Sequence, residues 1–114
     1  MPWRRDPHTD HRISWRIAAD AVARTGMQIT SMEYQIWLAE NGCPEDWPAK
    51  AEVSDATLDI SEVVDLKRHA LAAHRSQFGL VVDDDPSGFA LSSQTIARLV
   101  SDNEAYWVTR WPVA

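Results

Sequence analysis

The chain has 114 residues, 45% of them hydrophobic and 25% charged, with a formal net charge of −6 and a single cysteine. That length suits one domain over residues 1–114, able to remove roughly two-thirds of its unfolded surface from water. No apolar run approaches the about eighteen residues of a membrane span, and the acidic balance, with Arg4, Arg5, Arg12, Arg16, Lys67, Arg68 and Arg75 dispersed among acids, argues against nucleic acid as a partner.

Cys43 alone permits neither an internal disulfide nor a multi-cysteine zinc cluster, and the opening Met-Pro-Trp-Arg-Arg-Asp has no secretory pattern. A cytoplasmic location is the expectation. The segment DPHTDHR, residues 6–12, places His8, Asp10 and His11 immediately before "ISWRIAADAVARTG". There Ile13, Ile17 and Ala21 fall four apart with Ala18 and Val22 alongside, which predicts an amphipathic helix facing the core, stopped by Gly26. Asp10 is the expected N-cap, since a carboxylate there can accept the unpaired N–H groups of the first turn.

"SMEYQIWL", residues 31–38, alternates with period two and predicts a strand with Met32, Tyr34, Ile36 and Leu38 on one face. Residues 41–56, punctuated by Gly42, Pro44 and Pro48, form a long loop, and 57–60 a short strand. Residues 61–77 predict a second helix with Val63, Leu66 and Ala70 facing the sheet. Asp59 and Glu62 would form a capping box, and Lys67, Arg68, His74 and Arg75 suit its later turns. A turn-rich connection over 79–90, a short helix from Ser92 or Ser93 and a final strand over 104–111 complete an α/β order. That order is thin for a free-standing sheet, because the first helix has no strand before it.

Two imidazoles and a carboxylate within four positions suit metal or acid–base chemistry. Neutral imidazole is a common zinc ligand, and a ligand histidine needs an acceptor on its other nitrogen to fix the tautomer. Catalytic zinc ordinarily takes three protein ligands, so this motif supplies only part of a centre. Asp-Pro-Ser-Gly within "VVDDDPSG" is ordinary turn chemistry. Trp47, in the proline-rich loop, is the aromatic nominated for substrate contact among six tryptophans.

"DPHTDHRISWRIAADAV" resembles the His-Pro-Asp-His signature of the PIG-L/LmbE family of metal-dependent N-deacetylases, with Thr9 in place of the usual proline. "EYQIW", "VVDLKRHALAAHRSQ" and "EAYWVTR" resemble, in order, the strand, helix and closing strand that follow in that family, so the similarity spans most of residues 3–110. The resemblance implies a partial Rossmann-like α/β domain lacking its N-terminal strands, and a hydrolase acting on N-acetylglucosamine-type amides with zinc or another divalent metal. It assigns His11 as metal ligand, His8 as the group that stabilises or protonates the tetrahedral intermediate, and Asp10 as the residue tuning the histidine by hydrogen bonding. The family's Ala-His-Pro-Asp-Asp-Glu turn, which carries the general base and two further ligands, has no counterpart here. The implied partners are therefore an N-acetylated amino sugar together with a complementing N-terminal half or a homo-oligomer. The alternative is a non-catalytic remnant or protein-interaction module on the same scaffold.

Overall fold

A computed structural model describes residues 1–111, which form a mixed helix-and-strand fold. Two compact units are present: Met1–Thr57 with the chain from Ala105 onward, and Leu58–Glu104. The first holds helix α1 (Thr9–Thr25), strand β1 (Ile29–Glu33) and the short helix α2 (Leu38–Asn41), followed by a 3₁₀ turn at Pro44–Asp46. Strand β2 (Ser54–Asp59) leads out of this unit, and strand β3 (Asn103–Trp111) leads back into it. The sheet order is β1-β3-β2, with β1 and β3 antiparallel.

Helix α1 ends where the sequence predicts, at Gly26, whose φ of 65° is the left-handed conformation that glycine adopts without a Cβ penalty. Its start differs from expectation. His8 is the N-cap, its ring accepting the N–H of Asp10, and Asp10 lies one position into the first turn. The packed face also differs: His11, Trp15, Ala18 and Val22 are half-buried, whereas Ile13, Ile17 and Ala21 are exposed, Ile17 at 66%. The helix therefore carries two apolar arcs, and Ile13 and Ile17 belong to the open one.

Strand β1 inverts the usual pattern in the same way. Antiparallel register pairs Ile29 with Trp111, Ser31 with Thr109 and Glu33 with Trp107, so these six side chains share one face. Trp15 stacks edge-on against Trp111 at 5.0 Å and Trp3 against Trp107 at 4.9 Å, which buries that face, including Ser31 and Glu33. The opposite face, with Met32 and Tyr34, is exposed. The strand is shorter than the periodicity of residues 31–38 suggests. Ile36 and Trp37 turn their N–H groups onto the Asp6 carboxylate at 3.1 and 2.9 Å, which bends the chain out of the sheet and brings Leu38, 1% exposed, into the core at the start of α2.

Arg5 fastens the following loop. Its guanidinium binds both Glu52 oxygens at 2.7 and 2.8 Å and donates to the carbonyl of Trp47, while its face lies 4.7 Å from the Trp3 ring centroid. A fork of this kind is among the stronger side-chain pairs. The hydrogen bond from Arg5 draws the Glu52 pKa down from 4.5 to about 2.

In the second unit, helix α3 (Val64–Ala73) is shorter than residues 61–77. Asp59 accepts the Ser61 N–H at 2.9 Å, closing a turn where a capping box was expected, and Val63 is the N-cap with no side-chain cap bond. Val64, Lys67 and Leu71 take the half-buried side, and Lys67 Nζ meets Glu104 at 2.9 Å. Val63, Leu66 and Ala70, expected against the sheet, are exposed, Leu66 at 67%. A second 3₁₀ turn, Arg75–Gln77, follows His74, and helix α4 (Ser93–Leu99) starts from the expected Ser92, whose hydroxyl accepts the Thr95 N–H at 3.0 Å.

Two outcomes follow for stability. Leu38→Ala is expected to cost about 2–5 kcal/mol by urea unfolding, whereas Leu66→Ala should stay within about 0.5 kcal/mol because its side chain is largely exposed. The Glu52 contribution is full above its unfolded pKa near 4.5 and is lost as pH falls towards 2. Glu52→Gln should therefore flatten the acid limb of stability against pH, and an unchanged acid limb would remove the Arg5–Glu52 pair from the account.

Candidate functional site at the mouth of helix α1

Asp6 precedes a proline, and Asp-Pro just ahead of a helix favours a tight side-chain turn. Here the Asp6 carboxylate is fully buried and accepts four hydrogen bonds. Oδ1 receives the His8 N–H at 3.1 Å and the His11 ring at Nδ1 at 2.8 Å, while Oδ2 receives the N–H groups of Ile36 and Trp37. Burial alone would raise the Asp6 pKa, but the hydrogen bonds from Trp37, His11, His8 and Ile36 outweigh it and hold the carboxyl below its usual range. Arg12 closes the turn from the other side by donating to the carbonyls of Asp6 and Pro7 at 3.3 and 3.1 Å.

An ionised carboxylate only accepts, so His11 Nδ1 carries the proton in this contact and the neutral ring keeps its lone pair on Nε2. His8 has the opposite arrangement. Its Nδ1 accepts the Asp10 N–H at 3.2 Å, so a neutral His8 carries its proton on Nε2. The two rings lie 4.7 Å apart between centroids, at 33° to each other. Neither is buried: His8 is exposed and the His11 side chain is 20% exposed. One imidazole thus offers a lone pair and its neighbour an N–H donor, both at the N-terminal end of a 17-residue helix.

His8, Asp10 and His11 therefore share the loop-to-helix junction that the motif predicted. The carboxylate on an imidazole is that of Asp6, while Asp10 reaches His8 through its backbone N–H. Sequence reasoning placed Asp6 near the motif but gave it no role; the Asp-Pro dipeptide two residues before the N-cap was the available signal. Trp47 is 41% exposed and stands edge-on to Trp107 at 6.1 Å, with its carbonyl held by Arg5.

Beside the site, Glu33 is wholly buried and is met by the Arg4 N–H at 3.3 Å, the Arg4 guanidinium at 3.5 Å and the Thr109 hydroxyl at 3.0 Å. The Arg4 guanidinium lies 4.6 Å from the Trp3 ring centroid and 5.5 Å from that of Trp15, so the Trp-Arg-Arg segment ties α1 to the sheet. Among the described residues no three His, Cys, Asp or Glu side chains are grouped to hold a metal ion, and no helix is long and apolar enough to cross a membrane. Comparison with protein-family models, with curated proteins and with solved structures gives no match.

Asp6→Ala strands three backbone N–H groups and one imidazole, and should cost at least about 2 kcal/mol in chemical denaturation. Asp10→Ala is expected to cost only about 0.5 kcal/mol, the scale of a first-turn dipole contribution. Equal costs for the two variants would contradict the assignment of Asp6 as the organising carboxylate.

Proposed function

We propose that this chain carries the C-terminal part of a metal-dependent N-deacetylase site, acting on N-acetylated amino sugars of the N-acetylglucosamine type and completed by residues from elsewhere. The observation that supports this most strongly is the pair of neighbouring imidazoles held in complementary tautomers by Asp6 and by the Asp10 N–H. In this reading His11 would be the residue of this chain that holds zinc or a related divalent ion, with Asp6 as the buried acceptor that fixes the ring, the outer-shell arrangement typical of ligand histidines. The bound ion would supply Lewis acidity at the amide.

His8 Nε2–H donates to the amide oxygen as it gains negative charge and aids departure of the amine. Asp10 orients His8. Trp47 is offered as an apolar wall for the sugar, which its partial exposure allows. The scaffold reading remains that of a partial Rossmann-like domain; the apolar side chains of Ile13, Ile17 and Met32, which lie open, suit a surface completed from elsewhere. The same open arcs favour, as a second reading, a protein-interaction module without catalysis.

Amine release from an N-acetylglucosamine amide under added zinc tests the first reading. Residues 1–114 alone should release none. Addition of a PIG-L/LmbE-type N-terminal half carrying the His-Pro-Asp-Asp turn should restore release. In the restored enzyme His11→Ala should abolish zinc retention, and His8→Ala should lower turnover by about 10²–10⁴-fold with zinc retained. Release by the chain alone would mean that the site is complete without a partner, and none from the combined halves would favour the interaction module.

A further inference from the structure

Strand β3 sets a large side chain beside a small one. Glu33 pairs with Trp107, and alternation along the strand puts Ala105 on the same side as Trp107. Trp107 is met edge-on by Trp3 at 4.9 Å and by Trp47 at 6.1 Å. Two residues back, Ala105 brings only a methyl group, and a cleft of about 230 Å³ opens there. Its other walls include Gln35 from the bend after β1, Asp55 and Thr57 from β2, and Tyr106. All of these residues belong to the first compact unit, and the cleft shares none of them with the His8–His11 pair.

The polar side chains of this cleft are weighted towards acceptors. Gln35 brings an amide oxygen, Asp55 a carboxylate and Thr57 a hydroxyl, and no lysine, arginine or histidine stands in the wall. Gln35 Oε1 is enclosed by protein and has no hydrogen-bond partner. An enclosed acceptor left in that condition costs free energy, which an arriving donor would recover. The last torsion of a glutamine is soft, so the amide can turn its oxygen towards a donor in the cleft. Asp55 is exposed and, among the described residues, its carboxylate makes no hydrogen bond or ion pair, so its charge is not committed elsewhere.

We propose that this cleft binds a primary alkylammonium ion. The three N–H donors of such a group go to Gln35 Oε1, the Asp55 carboxylate and the Thr57 hydroxyl, and its alkyl stem lies against Tyr106 and Trp107. Each alternative fails on one of these groups. An anion would meet the Asp55 charge with no cation in the wall to offset it. A neutral alcohol would leave that charge unused. A quaternary ammonium gains from the aromatic rings but has no N–H for Gln35 Oε1. The volume lies below the about 300–1,000 Å³ of sites for drug-sized ligands, which restricts the ligand to a small amine.

Titration of the full chain with n-butylammonium, followed in ¹H–¹⁵N spectra, tests the site. Saturable shifts are expected at the Gln35 side-chain amide, the Ala105 N–H and the Trp107 indole, with a millimolar dissociation constant of the kind so small a ligand allows. Tetramethylammonium and 1-butanol should each bind at least about tenfold more weakly. Asp55→Asn, at an exposed position, should weaken n-butylammonium binding by about tenfold without moving the thermal midpoint. Gln35→Met, which keeps the length of the side chain and removes the unpartnered oxygen, should weaken binding while raising the thermal midpoint. Absence of saturable shifts up to about 100 mM n-butylammonium would overturn the proposal. So would equal binding of 1-butanol or tetramethylammonium, or affinity for n-butylammonium unchanged in both variants.

Discussion

The buried carboxylate of Asp6 is the constraint on which the rest of the first unit depends. A charge removed from water is costly unless every lone pair finds a donor, and here four donors converge from three parts of the chain: the helix mouth at His8, the first turn at His11, and the bend after β1 at Ile36 and Trp37. One side chain thereby joins the N-terminal segment to α1 and fixes where β1 must end. The same contacts set the proton on His11 Nδ1, so folding and the chemistry of the imidazoles share a single cause. The Arg4–Glu33 and Arg5–Glu52 pairs extend this logic, since each links the Trp-Arg-Arg segment to an element distant in sequence.

How much of this was legible in the sequence depends on what periodicity can report. The stripe of Ile13 and Ile17, the alternation through Met32 and Tyr34, and the spacing of Val63, Leu66 and Ala70 each identify residues that share a face. Periodicity does not say which of two faces is covered. In α1 the arc bearing Trp15 is packed because its ring reaches Trp111, a pairing 96 residues apart that no local pattern encodes. In β1 the polar residues Ser31 and Glu33 lie inward because Arg4 and Thr109 satisfy Glu33, which makes a charged side chain tolerable in the core. Punctuation was read correctly where one residue type decides it, at Gly26 ending α1 and Ser92 capping α4, and missed where several polar residues compete, since His8 and not Asp10 caps α1 and Asp59 closes a turn at Ser61 without capping α3.

The functional motif was legible as a location and incompletely as a mechanism. His8, Asp10 and His11 do gather at a helix mouth, and their chemistry follows from residue type. The carboxylate that orients His11 was not identified, because Asp10 lies inside the motif and Asp6 outside it, and only three-dimensional structure shows the latter buried with its oxygens turned onto the His11 ring and the backbone of residues 36 and 37. Asp10 acts on His8 through a backbone N–H, a contact that any residue but proline could make at that position.

The central claim is that Asp6 leaves His11 Nε2 as the nitrogen of this pair with a free lone pair, while His8 Nε2 carries a proton. Long-range ¹⁵N–¹H correlation of the histidine rings during a zinc titration of residues 1–114 measures this directly. The account predicts that His11 is protonated at Nδ1 and His8 at Nε2 before metal is added, and that His11 Nε2 is the first imidazole nitrogen to shift, with weak saturation. A His11 ring protonated at Nε2, or a first response at His8, His69 or His74, would contradict it.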